Sequence, residues 1–217
     1  MSSGVRPAVA QPTRSLAAPA AASVWSLLFG NDAPVEIEIG SGDGTFLATA
    51  AARAPSTNFL GIERSPAKTR RLAARIARLG SLRVRTLRAD AACIVETLVP
   101  PASVAAYHVY FPDPWPKRRH ARRRVLTPTL IAALARTLVP GGRLLLASDV
   151  YGYASLIRLD VLADGHFAEC EPGHDHPGLT TAFARKYRAA GRAVYVATFI
   201  RRNAEAPRPE PAPSPSA

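Results

Sequence analysis

Three acids stand at the ends of successive short apolar runs: Glu38 after Val35-Glu36-Ile37, Glu63 after Asn58–Ile62, and Asp90 after Arg83–Arg88. Glu38 also opens a glycine-rich string in which Gly40, Gly42 and Gly44 alternate with Ser41 and Asp43. Glycines between a strand and a helix let the backbone turn tightly and approach a ligand, and the helix N-terminus offers free N–H groups. The third glycine of the dinucleotide fingerprint G-x-G-x-x-G is missing, which disfavours a pyrophosphate and NAD with it. Glu38 would repel a pyrophosphate but can hold an ammonium group. Glu63, 19 residues after Gly44, stands where doubly wound folds place an acid for ribose hydroxyls. Asp90 can accept from an adenine edge. A ribose, an adenine and a cationic amino-acid end together describe S-adenosylmethionine. Each acid alone reads as a helix cap or a solvated strand end; three beside a glycine loop favour the cofactor site.

A second group lies further along. Phe111-Pro112-Asp113-Pro114-Trp115-Pro116-Lys117 follows the fourth apolar run, at the edge where open α/β sheets bind ligands. Prolines fix φ and stiffen the loop, so Asp113 is held in one place, as a reacting geometry requires. Trp115 offers a face for stacking on a base or a lid on the core. Next come Lys117, Arg118, Arg119, His120, Ala121, Arg122, Arg123 and Arg124, in which six Lys or Arg meet no acid. A charge run is usually a solvated face. Beside a stiff loop at the cofactor edge, it reads as a phosphate clamp. The basic face of residues 66–79 would extend it, though solvation alone also accounts for that face.

The elements that must position these groups alternate. Val35–Ile39, Asn58–Ile62, Arg83–Arg88, Ala105–Phe111 and Arg143–Ser148 read as strands; Phe46–Ala54, Pro66–Leu79, Ala91–Leu98 and Pro128–Leu138 read as helices. Pro140-Gly141-Gly142 is expected to end a helix and turn into a strand. A helix over Tyr151–Asp164 and strands near Phe167–Glu171 and Ala193–Arg201 follow. This pattern predicts an α/β, doubly wound, mostly parallel seven-stranded sheet with both faces covered.

Composition sets the outer limits. Lys and Arg number 28 against 16 Asp and Glu, a net charge of +12, and this favours a phosphate-rich partner over a neutral metabolite. Cys93 and Cys170 form no CxxC pair, which excludes a disulfide framework and a structural zinc site as organising devices. No apolar run approaches the roughly 20 residues of a membrane span, so no membrane partner is expected. Residues 1–23 read as a flexible leader, with a faint signal-like stretch over Leu16–Phe29 broken by Pro19. Residues 24–203 read as the domain, and residues 204–217 as a Pro-rich tail. Cys170, His174 and His176 lie in a Pro/Gly loop with no metal-ligand spacing, so no metal is expected.

The residues resemble the tRNA (guanine-N7)-methyltransferases of the TrmB type over about Val35–Ile200. The strongest element is the F-P-D-P-W-P-K-[KR]-R-H string at Phe111–His120. It is joined by E-I-G-x-G-x-G at Glu38–Gly44, G-I-E at Gly61–Glu63, Ser148-Asp149, and Thr181-x-Phe183-x-x-Lys186 with Gly191. The resemblance implies a class I methyltransferase fold and cytoplasmic methylation of N7 of a variable-loop guanosine in tRNA, by a monomer or homodimer. It implies that Glu38, Glu63, Asp90 and Asp113 line the S-adenosylmethionine pocket. It also implies that Lys117, Asp149 and Thr181–Ala184 (with Phe183) meet the RNA, while Arg119, His120, Arg122, Arg123 and Arg124 follow its backbone. Asp113 is the expected catalytic carboxylate, either stabilising the cationic alkylated guanine or gripping its N–H donors. The family usually has Glu where this chain has Ala184. Two other readings stay open: a methyltransferase of another RNA or a small molecule, and an RNA-binding homologue impaired in catalysis.

Overall fold

In the computed structural model, which describes residues 23–115 and 118–203, helices and strands alternate along the chain. The first half runs α1 (Val24–Phe29), β1 (Val35–Ile39), α2 (Thr45–Arg53), β2 (Asn58–Glu63), α3 (Pro66–Leu79), β3 (Val84–Arg88), α4 (Ala91–Thr97) and β4 (Val104–Tyr110). The second runs α5 (Pro128–Thr137), β5 (Leu138–Ser148), α6 (Tyr151–Ala163), β6 (Phe167–Cys170), α7 (Ala182–Ala189) and β7 (Tyr195–Arg201), with 3-10 turns at Arg118–Arg123 and Pro177–Thr180. The seven strands form one sheet in the order β3-β2-β1-β4-β5-β7-β6. β1 to β5 pair parallel, and β7 enters antiparallel between β5 and β6. The order reverses between β1 and β4, and ligands bind beyond the carboxyl ends of strands at such a switch point.

Each face has its own core, and the period of two in the strands explains why. Val35, Ile37 and Ile39 of β1, with Tyr107 and Val109 of β4, join a cluster that includes Trp25, Val95, Leu130, Leu134, Ile157 and Val161. Ala106 and Tyr110 face the other way, toward Phe46 and Leu47 of α2 and Leu72 and Ile76 of α3. On that second face β1 presents Glu36 and Glu38, since successive residues of a strand point to opposite sides. Glu36 is satisfied by the Nε2 of buried His108 at 2.7 Å and by Arg143 at 3.7 Å. Burial works against its charge, but the His108 hydrogen bond and the electrostatic pull of His108 and Arg143 outweigh it and lower its pKa.

Three local features differ from the sequence expectation. Val24–Phe29, the end of the signal-like stretch, is a helix capped by Ser23 and Gly30 that buries Trp25 and Phe29. The rest of the leader, residues 1–22, and the tail, residues 204–217, lie outside the described residues. Pro140-Gly141-Gly142 does not separate helix from strand: β5 begins at Leu138 and carries these residues across a register shift opposite Val104 and Ala106. A backbone irregularity in one strand accommodates extra residues without ending the pairing. α7 is not among the expected helices: Phe183 and Tyr187 stand one turn apart on it, but of its residues only Ala184 is buried.

Candidate active site

The glycine turn is clamped by the acid of the neighbouring strand. Glu63 accepts from Gly42 N at 3.0 Å through one oxygen and from Ser65 N at 2.7 Å through the other, tying the β1–α2 turn to the start of α3. The three glycines divide the work. Gly40, at φ +76°, has open space where a Cβ would stand and lines the adjoining cavity. Gly42 donates its N–H to Glu63. Gly44, at φ +78°, precedes α2, and a Cβ there would lie 2.3 Å from Leu72 Cδ1. Its absent side chain lets α2 and α3 approach. Asp43 reinforces the same junction. It accepts from Thr45 N and Oγ1 and from the Arg75 guanidinium at 2.9 Å. Partial burial opposes its charge, but these Thr45 and Arg75 contacts win and hold its pKa below the usual value.

Glu38 is different. It is 5% exposed, and its Oε2 has no hydrogen-bond partner among the described residues. Burial first, then the nearby charges of Asp43 and Glu63, push its pKa up to about 8. Such a group awaits a cation: a buried carboxylate without a partner stays protonated, and an ammonium beside it restores the ionised form. The residues on this strand end therefore fit a cationic ligand.

A cavity of about 680 Å³ opens beside this turn, at the carboxyl ends of β1, β2 and β4. It brings together Gly40, Glu63, Asp90, Asp113, Arg122, Arg123 and Arg124, and adds Trp115, Tyr110, Arg64 and Lys68. Asp90 caps α4 through Ala92 N at 3.0 Å and faces Arg64 at 3.9 Å, so its helix-cap role and its place in the cavity coexist. Lys68 belongs to the basic face expected over residues 66–79, whereas Arg64 is not among the residues the sequence points to. Arg64 directly follows Glu63, and that adjacency was the available signal.

Asp113 is exposed and sits between two non-glycine residues in left-handed conformation, Phe111 at φ +52° and Trp115 at φ +41°. Backbone of this kind persists only where its surroundings over-determine it. The basic run supplies that support. Arg124 donates to the carbonyls of Pro114 and Trp115 at 3.1 and 3.3 Å, and its guanidinium lies 5.5 Å from the Tyr153 ring centre. The Arg123 guanidinium lies over Trp115 at 4.9 Å, and His120 meets the same ring edge-on. Arg119 donates to His120, and both Arg119 and Arg122 face outward. Lys117 lies outside the described residues.

The remaining expected RNA contacts are gathered on α7, beside the Phe111 end of the loop. Phe183 is half-exposed and stacks with Phe111 and Tyr187 at 5.8 and 6.1 Å between ring centres. Thr181 is buried: its hydroxyl caps α7 through Ala184 N and donates to Gly178 O. Asp149 forms an ion pair with Arg192, whose guanidinium also covers Tyr187 at 4.3 Å. No sequence spacing pointed to Arg192, since the two partners lie on separate elements. Ala184 is fully buried in the first turn of α7. His176 is spent on structure: its Nδ1 caps the Pro177–Thr180 turn, and burial lowers its pKa to about 4.

Residues 32–197 match a family model described as a putative methyltransferase, Methyltransf_4. The chain is 36% identical over 183 residues to a tRNA (guanine-N(7)-)-methyltransferase of Burkholderia cenocepacia, covering 82% of this chain and 71% of the relative. It is 44% identical over 139 residues to the protein of that name from Nocardia farcinica, covering 64% of this chain and 51% of that one. Among solved structures it superposes on the 16S rRNA methyltransferase KamB with a TM-score of 0.58 at 19% identity, over 82% of this chain and 93% of that one. A 16S rRNA (adenine(1408)-N(1))-methyltransferase from Catenulisporales acidiphilia gives 0.55 at 14% identity, over 84% and 92%. At these identities the structural likeness speaks for the fold.

Proposed function

The chain belongs to the tRNA (guanine-N7)-methyltransferase family, and from that membership we propose that it methylates N7 of the variable-loop guanosine of tRNA, acting in the cytoplasm. S-adenosylmethionine is the methyl donor this chemistry uses. One observation carries the reading: a single cavity holds the carboxylates of Glu63 and Asp90, at the ends of β2 and β3, on one side and Asp113 with the guanidinium groups of Arg122, Arg123 and Arg124 on the other. A cationic nucleoside cofactor suits the first side, and a phosphate backbone suits the second.

The residues divide the task. Glu38 receives the cofactor's ammonium and gives up its proton as it does so. Glu63, already fixed by two backbone N–H groups, keeps acceptor capacity for ribose hydroxyls, and Asp90 and Gly40 border the remainder. Guanine N7 carries a free lone pair, so no base has to remove a proton before attack. Alignment and the exclusion of water then dominate the barrier. Alkylation leaves the guanine cationic, and Asp113 stabilises that charge as it develops. The stiff loop held by Arg124 keeps Asp113 from relaxing away. Arg119, His120, Arg122 and Arg123, with Lys117 and Phe183, meet the RNA. Asp149 and Thr181 act indirectly, by holding α7 and its neighbour Arg192.

The test is methyl transfer from labelled S-adenosylmethionine to unmodified tRNA, with the methylated nucleoside identified by mass. N7-methylguanosine that disappears when the variable-loop guanosine is replaced supports the proposal. Transfer to another position, or cofactor and tRNA binding with no transfer, overturns it. The second outcome would make Ala184 the residue to examine.

A further inference from the structure

We infer that α3 is a second phosphate-backbone contact for the RNA substrate, on the side of the cofactor cavity opposite the Arg118–Arg123 turn. The inference rests on the tRNA reading of the cavity and extends it to a surface outside the family motifs.

α3 is a poor choice for a merely solvated helix. Its 14 residues carry Lys68, Arg70, Arg71, Arg75 and Arg78 and no acid. Lys68, Arg71, Arg75 and Arg78 recur at i, i+3, i+7 and i+10, which places them on one flank, beside the buried stripe of Leu72 and Ile76. Solvated helices usually interleave opposite charges, because like charges three and four apart repel. Lys68 also sits in the first turn, where the helix dipole disfavours a cation. Of this flank, Arg75 is held by Asp43. Lys68, Arg71 and Arg78 are exposed and form no ion pair among the described residues. Local energetics therefore work against the arrangement, and a polyanion reverses both penalties.

Position identifies the polyanion. The stripe begins at the cavity: Arg64, just before the Ser65 cap, and Lys68 line its wall together with Arg122, Arg123 and Arg124. A strand delivered to Asp113 passes between these two basic banks. From Lys68 to Arg78 the helix rises about 15 Å, enough to follow several backbone phosphates. Asp43 fits the same picture, since its grip on Arg75 couples α3 to the glycine turn.

The experiment measures tRNA affinity by fluorescence anisotropy across a salt series, for the full chain, R71Q/R78Q, and a charge-matched control, R53Q/R202Q. Arg53 and Arg202 lie off α3, where α2 and β7 finish. We expect R71Q/R78Q to weaken binding by about tenfold and to flatten the log–log salt slope by about 2. The control should change little. S-adenosylmethionine affinity should be unchanged and the melting temperature unchanged or higher, since repulsion within α3 is relieved. Equal losses in both double variants would reduce the effect to overall charge and overturn the inference, as would full affinity in R71Q/R78Q. Because binding is read without turnover, a chain that binds tRNA through α3 yet makes no N7-methylguanosine would sink the proposed activity and leave this contact standing.

Discussion

The two banks of the cavity are built by opposite means. On the side formed by β1, β2 and the glycine turn, polar groups are committed: both oxygens of Glu63 hold backbone N–H groups, and Asp43 is spent on Thr45 and Arg75. Only Glu38 is left with an unpartnered oxygen. On the bank formed by the Pro-Trp loop and the Arg118–Arg123 turn stand Trp115 and the exposed cations Arg122 and Arg123, and the backbone itself is strained at Phe111 and Trp115. A small rigid cofactor rewards preorganisation, since every group fixed beforehand is one less to order on binding. A long flexible polyanion rewards accessible charge and flat faces. The contrast teaches that one cavity can hold two ligands by assigning the burial to one and the exposure to the other.

Breaking the chemistry where the banks meet should have the largest effect. Asp113→Asn is expected to lower kcat by about 100-fold or more, the scale of losing one group that stabilises transition-state charge, with cofactor affinity nearly unchanged. Single-turnover kinetics and calorimetry check the two halves. Unchanged turnover would remove Asp113 from catalysis.

Glu38→Gln probes the committed bank. It should weaken S-adenosylmethionine binding by about tenfold or more and alter two pH dependences. In the native state the carboxyl is protonated up to about pH 8, while in the unfolded chain it ionises near pH 4.3. The native state thus holds more protons between these values, and the stability this carboxyl contributes is lost as pH rises through that window. The substitution should flatten that slope in cofactor-free melts. It should also abolish the proton released on cofactor binding near pH 7, read by calorimetry in buffers of different ionisation enthalpy. A wild-type protein that binds without proton release would contradict the role given to Glu38.

On the exposed bank the expected effects are smaller. Arg124→Lys keeps the charge but loses the fork that reaches two carbonyls. Turnover and tRNA KM should therefore worsen together by a few-fold to about tenfold, and the variant should not behave as wild type merely because it is basic. Thr181→Ala should cost about 1 kcal/mol of stability through the lost α7 cap, measurable by urea unfolding, with recovery in Thr181→Ser. A direct RNA contact would instead show as a raised tRNA KM in Thr181→Ala with stability unchanged.

Much of this molecule was legible in its residues. Period-two strands, 3.6-period helices and the turn residues between them are local signals, and they place β1 to β5 within one or two residues, apart from the start of β5, because burial on both faces of a parallel sheet leaves a plain apolar pattern. Strand-end acids, the Pro-Trp loop and the basic run were visible for the same reason: their chemistry is carried by residue type and short spacing. α7 was not: its eight residues carry three cations and only two large apolar side chains, Phe183 and Tyr187, one turn apart. The sequence could not separate Gly40, open to the cavity, from Gly44, packed on Leu72, as both occupy equivalent places in the motif. Nor could it tell that Arg124 braces a loop while Arg122 is exposed, that Asp149 meets Arg192, or that Glu38 is buried with one oxygen unpartnered among the described residues. Residue type and short spacing set which chemical groups stand at the carboxyl ends of the strands, through local preferences that need no distant contact. Tertiary structure decided which of them remain free to act, because a group's remaining valence depends on partners tens of residues away and on how much water reaches it.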